Sequence, residues 1–194
     1  MKRLFDFTSS LLGLIFFSPL FLLIAFIIAL SSKGGVFYKQ KRVGKGGKDF
    51  TLYKFRTMVA DADTKGLLSV GIKGKDPRVT PFGYLLRKYK IDELAQLINV
   101  IKGDMSLVGP RPEVRKYVDL YTQEQREILR VRPGITDIAS IKFRNENDLL
   151  AKNPNPEEYY INEIMPQKLS LSIEYLKTRT FCSDIKIIFK TIFG

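Results

Sequence analysis

The sequence predicts an α+β fold that is mostly helical, with an N-terminal re-entrant membrane helix and a small body. That body is expected to carry a short hairpin and surface amphipathic helices. Three observations predict this fold: an uncharged apolar run at 11–30, two short strand-like runs around a glycine-rich turn, and several capped helical segments downstream. We expect residues 1–34 to form the membrane element with its flanks and residues 35–194 to form a cytoplasmic domain.

The apolar run is long enough to enter a membrane. Residues 11–30 carry no charge, and a helix of that length reaches about 30 Å, the thickness of the hydrocarbon core. Basic residues flank the run on both sides, and basic flanks stay cytoplasmic. At its centre Pro19 removes a backbone N–H, and the Ser18 hydroxyl can satisfy the freed carbonyl. A helix that is broken at Ser18 and Pro19 and returns to the same side would keep both basic flanks in the cytoplasm. A single-pass anchor and a cleaved signal peptide are the alternatives.

Composition limits the chemistry that the body can perform. The chain has 194 residues, a net charge of +12, no His, one Cys and no Trp. It therefore lacks the commonest general base and zinc ligand, and one cysteine cannot form an internal disulfide or a thiolate metal cage. An enzyme of this composition would use carboxylates, Lys, Arg, Tyr or Ser, with a hard metal such as Mg²⁺. The positive charge suits anionic substrates at a membrane surface; without a recognised binding module, no nucleic acid is expected as a partner.

The first part of the body predicts a β-hairpin. Strand-like runs at 36–42 and 50–55 flank Gly44–Lys48, whose glycines and lysines are typical of a hairpin tip. The tip could be solvated, or it could contact phosphates or anionic headgroups. The polar segment 57–75 contains three glycines and predicts a loop or a mobile lid.

One long helix is predicted in the middle of the chain. Thr80 offers an N-cap and Pro81 suits the first helical position, while Gly103 lies where the helix should stop. We expect the helix to continue to about Ile101 and to bury one apolar face. The residues of that face are Ile91, Leu94, Ala95, Ile98 and Ile101.

Two adjacent acids in this helix, Asp92 and Glu93, are candidates for chemistry. Neighbouring helical residues project about 100° apart, so the two carboxylates cannot form one symmetric clamp. One can point into a site while the other orients it or handles protons; a solvated face with acids offset by nearby bases is the alternative. Downstream, Pro110 and Pro112 fix φ on both sides of Arg111 and leave it pre-organised to bind a phosphate or carboxylate bidentately.

The C-terminal part of the chain reads as further helices. Thr122 and Gln125 form a capping box, and Pro156 begins a polar helix that should end at Pro166. The segment 181–193 has apolar residues at helical spacing with lysines toward another face. Such a segment suits an amphipathic helix that lies on a membrane or docks on the body.

The order of these motifs resembles that of a known family. The motifs are Ser18-Pro19, Tyr53–Met58, Asp76–Thr80, Asp92-Glu93-Leu94, Gly103–Pro112 and Arg132–Thr136. Together they resemble the bacterial sugar transferases, the small monotopic polyprenyl-phosphate phosphoglycosyl transferases, over nearly the whole chain. In that family the membrane helix is broken at Ser-Pro, so that both of its ends face the cytoplasm.

The resemblance implies an enzyme of the bacterial inner membrane with its catalytic domain on the cytoplasmic face. Such enzymes transfer a sugar-1-phosphate from a UDP-sugar to undecaprenyl phosphate, release UMP and use Mg²⁺. The transfer is the first membrane step in assembling a capsule, O-antigen, exopolysaccharide or glycoprotein glycan. UDP-sugar, undecaprenyl phosphate and membrane lipid are the implied partners, and a homo-oligomer is left open.

The family also implies roles for individual residues. Asp92 would be the nucleophile that forms a phosphosugar-aspartyl intermediate and would bind the Mg²⁺. Glu93 would assist by orienting the site or by deprotonating the acceptor. The implied substrate-binding residues are Lys54, Arg87, Arg111, Arg144 and Asp184.

One segment departs from the family pattern. The usual Gly-Trp-Ala-Gln run is replaced by Asp137-Ile138-Ala139-Ser140. Because this segment lies near the expected sugar or nucleotide contacts, the departure bears on the donor more than on the reaction type. Two other functions stay open at this point: a membrane-anchored glycosyltransferase that moves the sugar alone and releases UDP, and a non-catalytic membrane scaffold.

Overall fold

The computed structural model describes residues 1–31, 34–60, 62 and 76–193. The fold is α+β and mostly helical, as the sequence predicts. The α-helices are α1 (Lys2–Phe16), α2 (Ser18–Ser31), α3 (Pro81–Lys88), α4 (Leu97–Lys102), α5 (Arg115–Val118), α6 (Ile138–Lys142), α7 (Glu146–Ala151), α8 (Pro156–Tyr159), α9 (Met165–Thr178) and α10 (Phe181–Phe193). The strands are β1 (Phe37–Val43), β2 (Asp49–Phe55), β3 (Ser106–Val108) and β4 (Gly134–Thr136). Most of the loop or lid predicted at 57–75 lies outside the described residues.

The N-terminal helix is broken at the predicted position. Helix α1 ends at Phe16, α2 begins at Ser18, and the two helices are bent by 63°. The Ser18 hydroxyl donates to the Ile15 carbonyl at 2.8 Å, which satisfies a group that the break frees. Within the described ranges, no single helix is long and apolar enough to cross a membrane, and only this bent pair reaches that length and apolarity together. The break thus lies at Phe17, directly before the predicted Ser18 and Pro19, and the re-entrant path stays a prediction.

The first half of α1 docks on the body through polar groups that the sequence did not single out. Arg3 donates to the carbonyls of Val100 and Ile101 at 2.6 and 3.1 Å, at the C-terminal end of α4. The buried Asp6 accepts a hydrogen bond from the Ser106 hydroxyl at 2.8 Å. These contacts join α1 to α4 and β3, so its polar N-terminal turns are part of the folded body.

Helix α2 is apolar all around, and one face is covered by the body. Ile24 and Ile28 are buried against Phe55 of β2, Leu86 of α3 and Ala95. Burying such side chains stabilises the fold by about 1.5–3 kcal/mol each. The opposite face of α2 leaves large apolar side chains exposed, namely Leu22, Leu23, Phe26 and Leu30.

The predicted hairpin is present, and a second sheet appears beside it. Strands β1 and β2 pair antiparallel, and the turn between them contains the short 3₁₀ helix Lys45–Gly47. The hairpin prediction is therefore confirmed to within a residue or two. Strands β3 and β4 pair in parallel, and no sequence pattern predicted them because each has only three residues.

The single long helix predicted from Thr80 to about Ile101 is wrong. The chain forms α3, then a left-handed residue at Lys90 with φ of 57°, then the 3₁₀ helix Ile91–Gln96, and finally α4. A residue with positive φ cannot continue an α-helix, so Lys90 separates the segments. Both predicted ends are confirmed. The Thr80 hydroxyl caps the first turn, and Gly103 ends α4 in the left-handed conformation with φ of 92°.

The break at Lys90 also changes which side chains are buried. The residues after Lys90 form a 3₁₀ helix with about three residues per turn instead of about 3.6. Side chains that would share one face of an α-helix therefore point in different directions here. Of the predicted face only Ala95 is fully buried, while Leu97 and Val100 are the apolar residues buried in α4. Asp92 is carried to a buried position by the same change of period.

The C-terminal half contains one further correction. The helix expected to end at Pro166 instead continues from α8 through the π-helical turn Tyr160–Ile164 into α9. The widened turn accommodates a proline, because it releases the backbone bond that the ring cannot make. The capping box is confirmed by reciprocal bonds between Thr122 and Gln125 at 2.9 and 3.3 Å. Helix α10 is confirmed over 181–193 and buries Asp184 and Ile187.

Candidate active site

The two acids lie in the 3₁₀ helix Ile91–Gln96, which is packed against β2. Asn99 holds this packing from the first turns of α4. Its side-chain amide donates to the Thr51 carbonyl at 2.7 Å, and its side-chain oxygen accepts the Tyr53 N–H at 3.0 Å. Asn99 is fully buried, so these bonds fix α4, and the 3₁₀ helix before it, to the middle of β2.

Glu93 lies between two cations that come from distant segments. Lys54 Nζ on β2 is 3.0 Å from Glu93 Oε1. Arg111 contacts both carboxylate oxygens, with Nη1 3.0 Å from Oε2 and Nη2 bonded to Oε1. Three residues predicted separately as site residues are therefore in direct contact.

The charges around Glu93 determine its protonation. Burial alone would raise the pKa of Glu93, but the charges of Arg111 and Lys54 and the Arg111 hydrogen bond outweigh it and hold that pKa well below its usual range. The charge of Glu93 raises the pKa of Arg111 above its usual value. Burial lowers the pKa of Lys54, although Glu93 opposes the shift. Glu93 is thus ionised, and both of its carboxylate oxygens are bonded to Lys54 or Arg111.

Asp92 has a different environment from its neighbour. No group in the described part of the chain donates a hydrogen bond to its carboxylate. Burial raises the pKa of Asp92, and the repulsion from Glu93 adds to this, while Lys54, Arg87 and Arg111 act against it. A buried carboxylate near three cations but without a hydrogen-bond donor is suited to attack an electrophile or to bind a metal ion.

Arg87 is the third cation beside Asp92, and α3 supplies it. Its Nε donates to the Thr57 hydroxyl at 2.8 Å. Burial lowers the pKa of Arg87, and Asp92 is the leading charge that opposes the shift. Thr57 was part of a sequence motif, but nothing in the sequence indicated that it contacts Arg87.

The Pro-Arg-Pro segment is held in place by backbone contacts. A side chain at Gly109 would come within 2.6 Å of the Arg132 carbonyl, and one at Gly134 within 2.1 Å of the Gly109 nitrogen. Only glycine permits this close approach. Arg111 N–H donates to Asp137 at 3.3 Å.

The segment that departs from the family pattern therefore touches the candidate site. Besides its bond to the Arg111 backbone, the buried Asp137 accepts the Ser140 N–H at 2.7 Å and so caps α6. Asp137 is a second residue whose contact the sequence did not indicate, because its nearness to Arg111 follows from the parallel pairing of β3 and β4.

The remaining two predicted site residues are placed elsewhere in the contact network. Asp184 is buried and accepts hydrogen bonds from Tyr175 and Lys2, which link α10 to α9 and α1. Arg144 lies exposed in the turn between α6 and α7. The substrate-binding roles of Asp184 and Arg144 stay predictions.

The residues present are compatible with Mg²⁺ that is bound together with substrate. The described residues contain no group of three or more acids, histidines or cysteines that could hold a metal ion alone. Mg²⁺ is commonly held by one or two carboxylates, with water and substrate phosphates completing its shell. Asp92 offers a carboxylate that accepts no hydrogen bond from the described part of the chain, so it is the candidate ligand.

Residues 1–194 match the family described as "Bacterial sugar transferase". The chain belongs to the bacterial sugar transferase family. This confirms the resemblance drawn from the motifs.

Several curated relatives of this bacterial sugar transferase match along almost its full length. It is 40% identical over 192 residues to the uncharacterized sugar transferase EpsL of Bacillus subtilis, covering 99% of this chain and 85% of that protein. It is 35% identical to a UDP-glucose:undecaprenyl-phosphate glucose-1-phosphate transferase of Caulobacter vibrioides, covering 98% and 68%. It is 39% identical to a UDP-N-acetylgalactosamine-undecaprenyl-phosphate N-acetylgalactosaminephosphotransferase of Aeromonas hydrophila, covering 99% of this chain and 43% of that protein.

Proposed function

We propose that this chain transfers a sugar-1-phosphate from a UDP-sugar to undecaprenyl phosphate and releases UMP. The names of its relatives support this reaction class, and they differ in the sugar, which leaves the donor undetermined. One structural observation carries the proposal: the buried carboxylate of Asp92 receives no hydrogen bond from the described residues, and it lies beside a Glu93 that Lys54 and Arg111 hold. That arrangement suits phosphoryl transfer, because the substrate brings negative charge and the transition state spreads it further.

The first half of the proposed reaction uses Asp92 as the nucleophile. A carboxylate oxygen attacks the sugar-bearing phosphorus of the UDP-sugar, a new P–O bond forms, and the P–O bond to the UMP leaving group breaks. The charges of Arg87 and Arg111 act on the Asp92 carboxylate against the rise in its pKa that burial causes, so both arginines are placed to neutralise the phosphate charges. Mg²⁺, when bound, supplies further neutralisation of the pyrophosphate.

The second half releases the sugar-phosphate to the lipid. A phosphate oxygen of undecaprenyl phosphate attacks the same phosphorus, and the bond to Asp92 breaks, which restores the carboxylate. Glu93 orients the site through Lys54 and Arg111, and because its pKa is held well below its usual range it is too weak a base to take a proton from the acceptor phosphate. Two steps let a water-soluble donor and a membrane-bound acceptor react in turn at one carboxylate.

The nucleotide product tests this proposal. The purified chain in nanodiscs is mixed with undecaprenyl phosphate, Mg²⁺ and a panel of UDP-sugars, and the released nucleotide is identified. UMP is expected with at least one donor, and chelation of the metal should stop its release. UDP would instead indicate transfer of the sugar alone, and no nucleotide from any donor would favour the non-catalytic scaffold.

The proposed location is the cytoplasmic face of the inner membrane, with the α1–α2 pair dipping into one leaflet. The 63° bend and the apolar exposed face of α2 support a path that enters and leaves on the same side. In a Cys182→Ser background, single cysteines placed in a short extension before α1 and directly after α2 should label from the cytoplasmic side in both cases. Labelling from opposite sides would overturn this topology.

A further inference from the structure

Thr57 lies at the end of β2 in a position that α3 fixes closely. It is only 5% exposed, and its carbonyl accepts the Thr80 N–H at 2.9 Å. A side chain at Gly83 would lie 2.0 Å from that same carbonyl oxygen, so the first turn of α3 rests directly on the Thr57 backbone. Thr57 cannot move independently of α3 without losing this contact.

The hydroxyl of Thr57 reaches the next turn of the same helix face. Gly83 and Arg87 are four residues apart on α3, and residues at this spacing lie on one face. The glycine admits the Thr57 backbone, and the Arg87 Nε then donates to the Thr57 hydroxyl at 2.8 Å. A bond at Nε restrains the rotation of the planar guanidinium, and with it the direction of the remaining N–H groups.

Arg87 lies close to the acids of the proposed reaction, because α3 packs on the 3₁₀ helix Ile91–Gln96 through Leu86 and Ala95. Asp92 is the leading charge that acts on it, and Arg87 in turn is one of the cations near the Asp92 carboxylate. A guanidinium recognises a phosphate well only when its fork has the right orientation. The direction imposed by Thr57 therefore bears on phosphate binding.

We propose that Thr57 is a positioning residue for phosphoryl transfer, which holds Arg87 in the orientation that binds the diphosphate of the donor. Thr57 acts through Arg87 and contacts neither of the two acids. The inference rests on the proposed function, because it assigns Arg87 to the phosphates of that reaction.

The test compares two substitutions that differ in the hydroxyl. Thr57→Val keeps the shape and removes the acceptor, and we expect kcat/KM for the UDP-sugar to fall about tenfold, as when one charged hydrogen bond is lost. Thr57→Ser keeps the hydroxyl and should stay within about twofold of the unchanged chain. Thr51→Val makes the same change on β2, where the Thr51 carbonyl and not its hydroxyl binds Asn99, and activity should be unchanged.

A double-mutant cycle of Thr57 and Arg87 distinguishes positioning of Arg87 from a purely structural role of Thr57. In an Arg87→Lys background, which lacks Nε, adding Thr57→Val should cause no further loss of kcat/KM. The melting temperature of each variant is measured in parallel. If Thr57→Val does not fold, Thr57→Ala repeats the comparison without the added methyl group.

The outcomes that overturn the proposal are distinct from failure of the proposed function. UMP release by the unchanged chain is measured first, and its absence counts against the proposed function. If that chain is active, three results overturn the role of Thr57. They are full activity of Thr57→Val, a kcat/KM of Thr57→Ser as low as that of Thr57→Val, and an equal fold-decrease in kcat/KM when Thr57→Val is added to the Arg87→Lys background.

Discussion

Two largely buried glutamates in this protein each form ion pairs with two cations. They differ in the side chains that lie beside these ion pairs. The first is Glu93 with Lys54 and Arg111, which we call the Glu93 cluster. The second is Glu113 with Arg42 and Lys168, which we call the Glu113 cluster. The side chains of Glu93 and Glu113 are each 13% exposed, and each lies between two cations from distant segments.

The two clusters share one stretch of backbone. The Pro-Arg-Pro segment directs Arg111 to the first cluster, and Glu113, which follows it, to the second. In the Glu113 cluster, Arg42 Nη1 also donates to the Pro112 carbonyl at 3.0 Å. Tyr160 Oη donates to the Glu113 carboxylate at 2.5 Å. Burial alone would raise the pKa of Glu113, but Lys168, Arg42 and this hydrogen bond outweigh it and lower that pKa.

The difference lies in what stands beside each carboxylate. Next to Glu93 is Asp92, whose carboxylate receives no hydrogen bond from the described residues and whose pKa burial raises. Beside the Glu113 cluster lie the core side chains of Tyr117 and Tyr121, both buried. A buried ion pair by itself is therefore no sign of an active site, because both clusters have one. The unpaired acid distinguishes the Glu93 cluster.

Replacing that acid should have the largest effect on activity. We expect Asp92→Asn to lower the rate of UMP release by at least about 10³-fold, because an amide cannot act as the nucleophile. Membrane association should be unchanged, and the melting temperature should not fall, because a desolvated charge is removed. Activity is followed by UMP release and membrane association by vesicle flotation. Near-normal activity would refute the role of Asp92 as the nucleophile.

Arg111→Lys tests whether the fork of the arginine matters in the Glu93 cluster. Lysine keeps the charge but cannot contact both oxygens of Glu93 at once, so kcat/KM should fall about 10- to 100-fold. Arg42→Lys is the matched change in the Glu113 cluster, and steady-state kinetics should show little loss for it. Equal losses in the two variants would mean that the clusters do not differ in function.

Glu113→Gln should affect stability rather than chemistry. Because two buried cations lose their counter-charge, we expect a loss of about 2–4 kcal/mol in the free energy of unfolding at neutral pH. The pKa of Glu113 is lowered in the folded protein, so its contribution is present above the usual glutamate range and lost as the pH falls through the folded value.

The pH dependence provides the check on Glu113. Chemical denaturation of the two proteins should give a difference that is largest near neutral pH and shrinks below about pH 4. A difference that stays constant across this range would show that the charge of Glu113 does not stabilise the fold. UMP release measured well below the melting temperature should stay close to that of the unchanged chain.

Tyr160→Phe is expected to have the smallest effect. It removes one hydrogen bond to Glu113 while the two cations remain, so the free energy of unfolding should fall by about 1 kcal/mol. Burial and Glu113 raise the pKa of Tyr160, so its hydroxyl stays protonated and the effect should not depend on pH near neutrality. Denaturation at two pH values measures this. A large loss of activity would argue that the Glu113 cluster takes part in the reaction.

Local signals in the sequence predicted local features well. The Ser18 break, the hairpin, the Thr80 cap, the Gly103 stop and helix α10 each depend on a few neighbouring residues, and each was found. The helix errors arose where a wider context decided. Lys90 adopts a left-handed conformation that its residue type does not favour, and a π-helical turn lets the chain continue through Pro166.

In the candidate site, too, the sequence identified some residues, while contacts between distant segments were found only in the structure. Motif order identified Lys54, Arg87, Asp92, Glu93 and Arg111 as belonging to one site, and the structure brings Lys54 and Arg111 onto Glu93, with Arg87 near Asp92. Thr57 and Asp137 were not assigned to it, because their contacts are made across 30 and 26 residues of sequence. Sequence periodicity is informative only within one element.

The sequence by itself determined the family, the residue types available for chemistry and the position of the break between α1 and α2. Only the tertiary structure decided which acid is paired and which is not. Asp92 and Glu93 are adjacent in the chain, and nothing in their order distinguishes them. The 3₁₀ helix turns Glu93 onto Lys54 and Arg111 and leaves Asp92 buried, with no hydrogen-bond donor among the residues that the structure describes. That division depends on groups from β2 and the Pro-Arg-Pro segment meeting in space, because the strength of an ion pair depends on distance and burial rather than on separation along the chain.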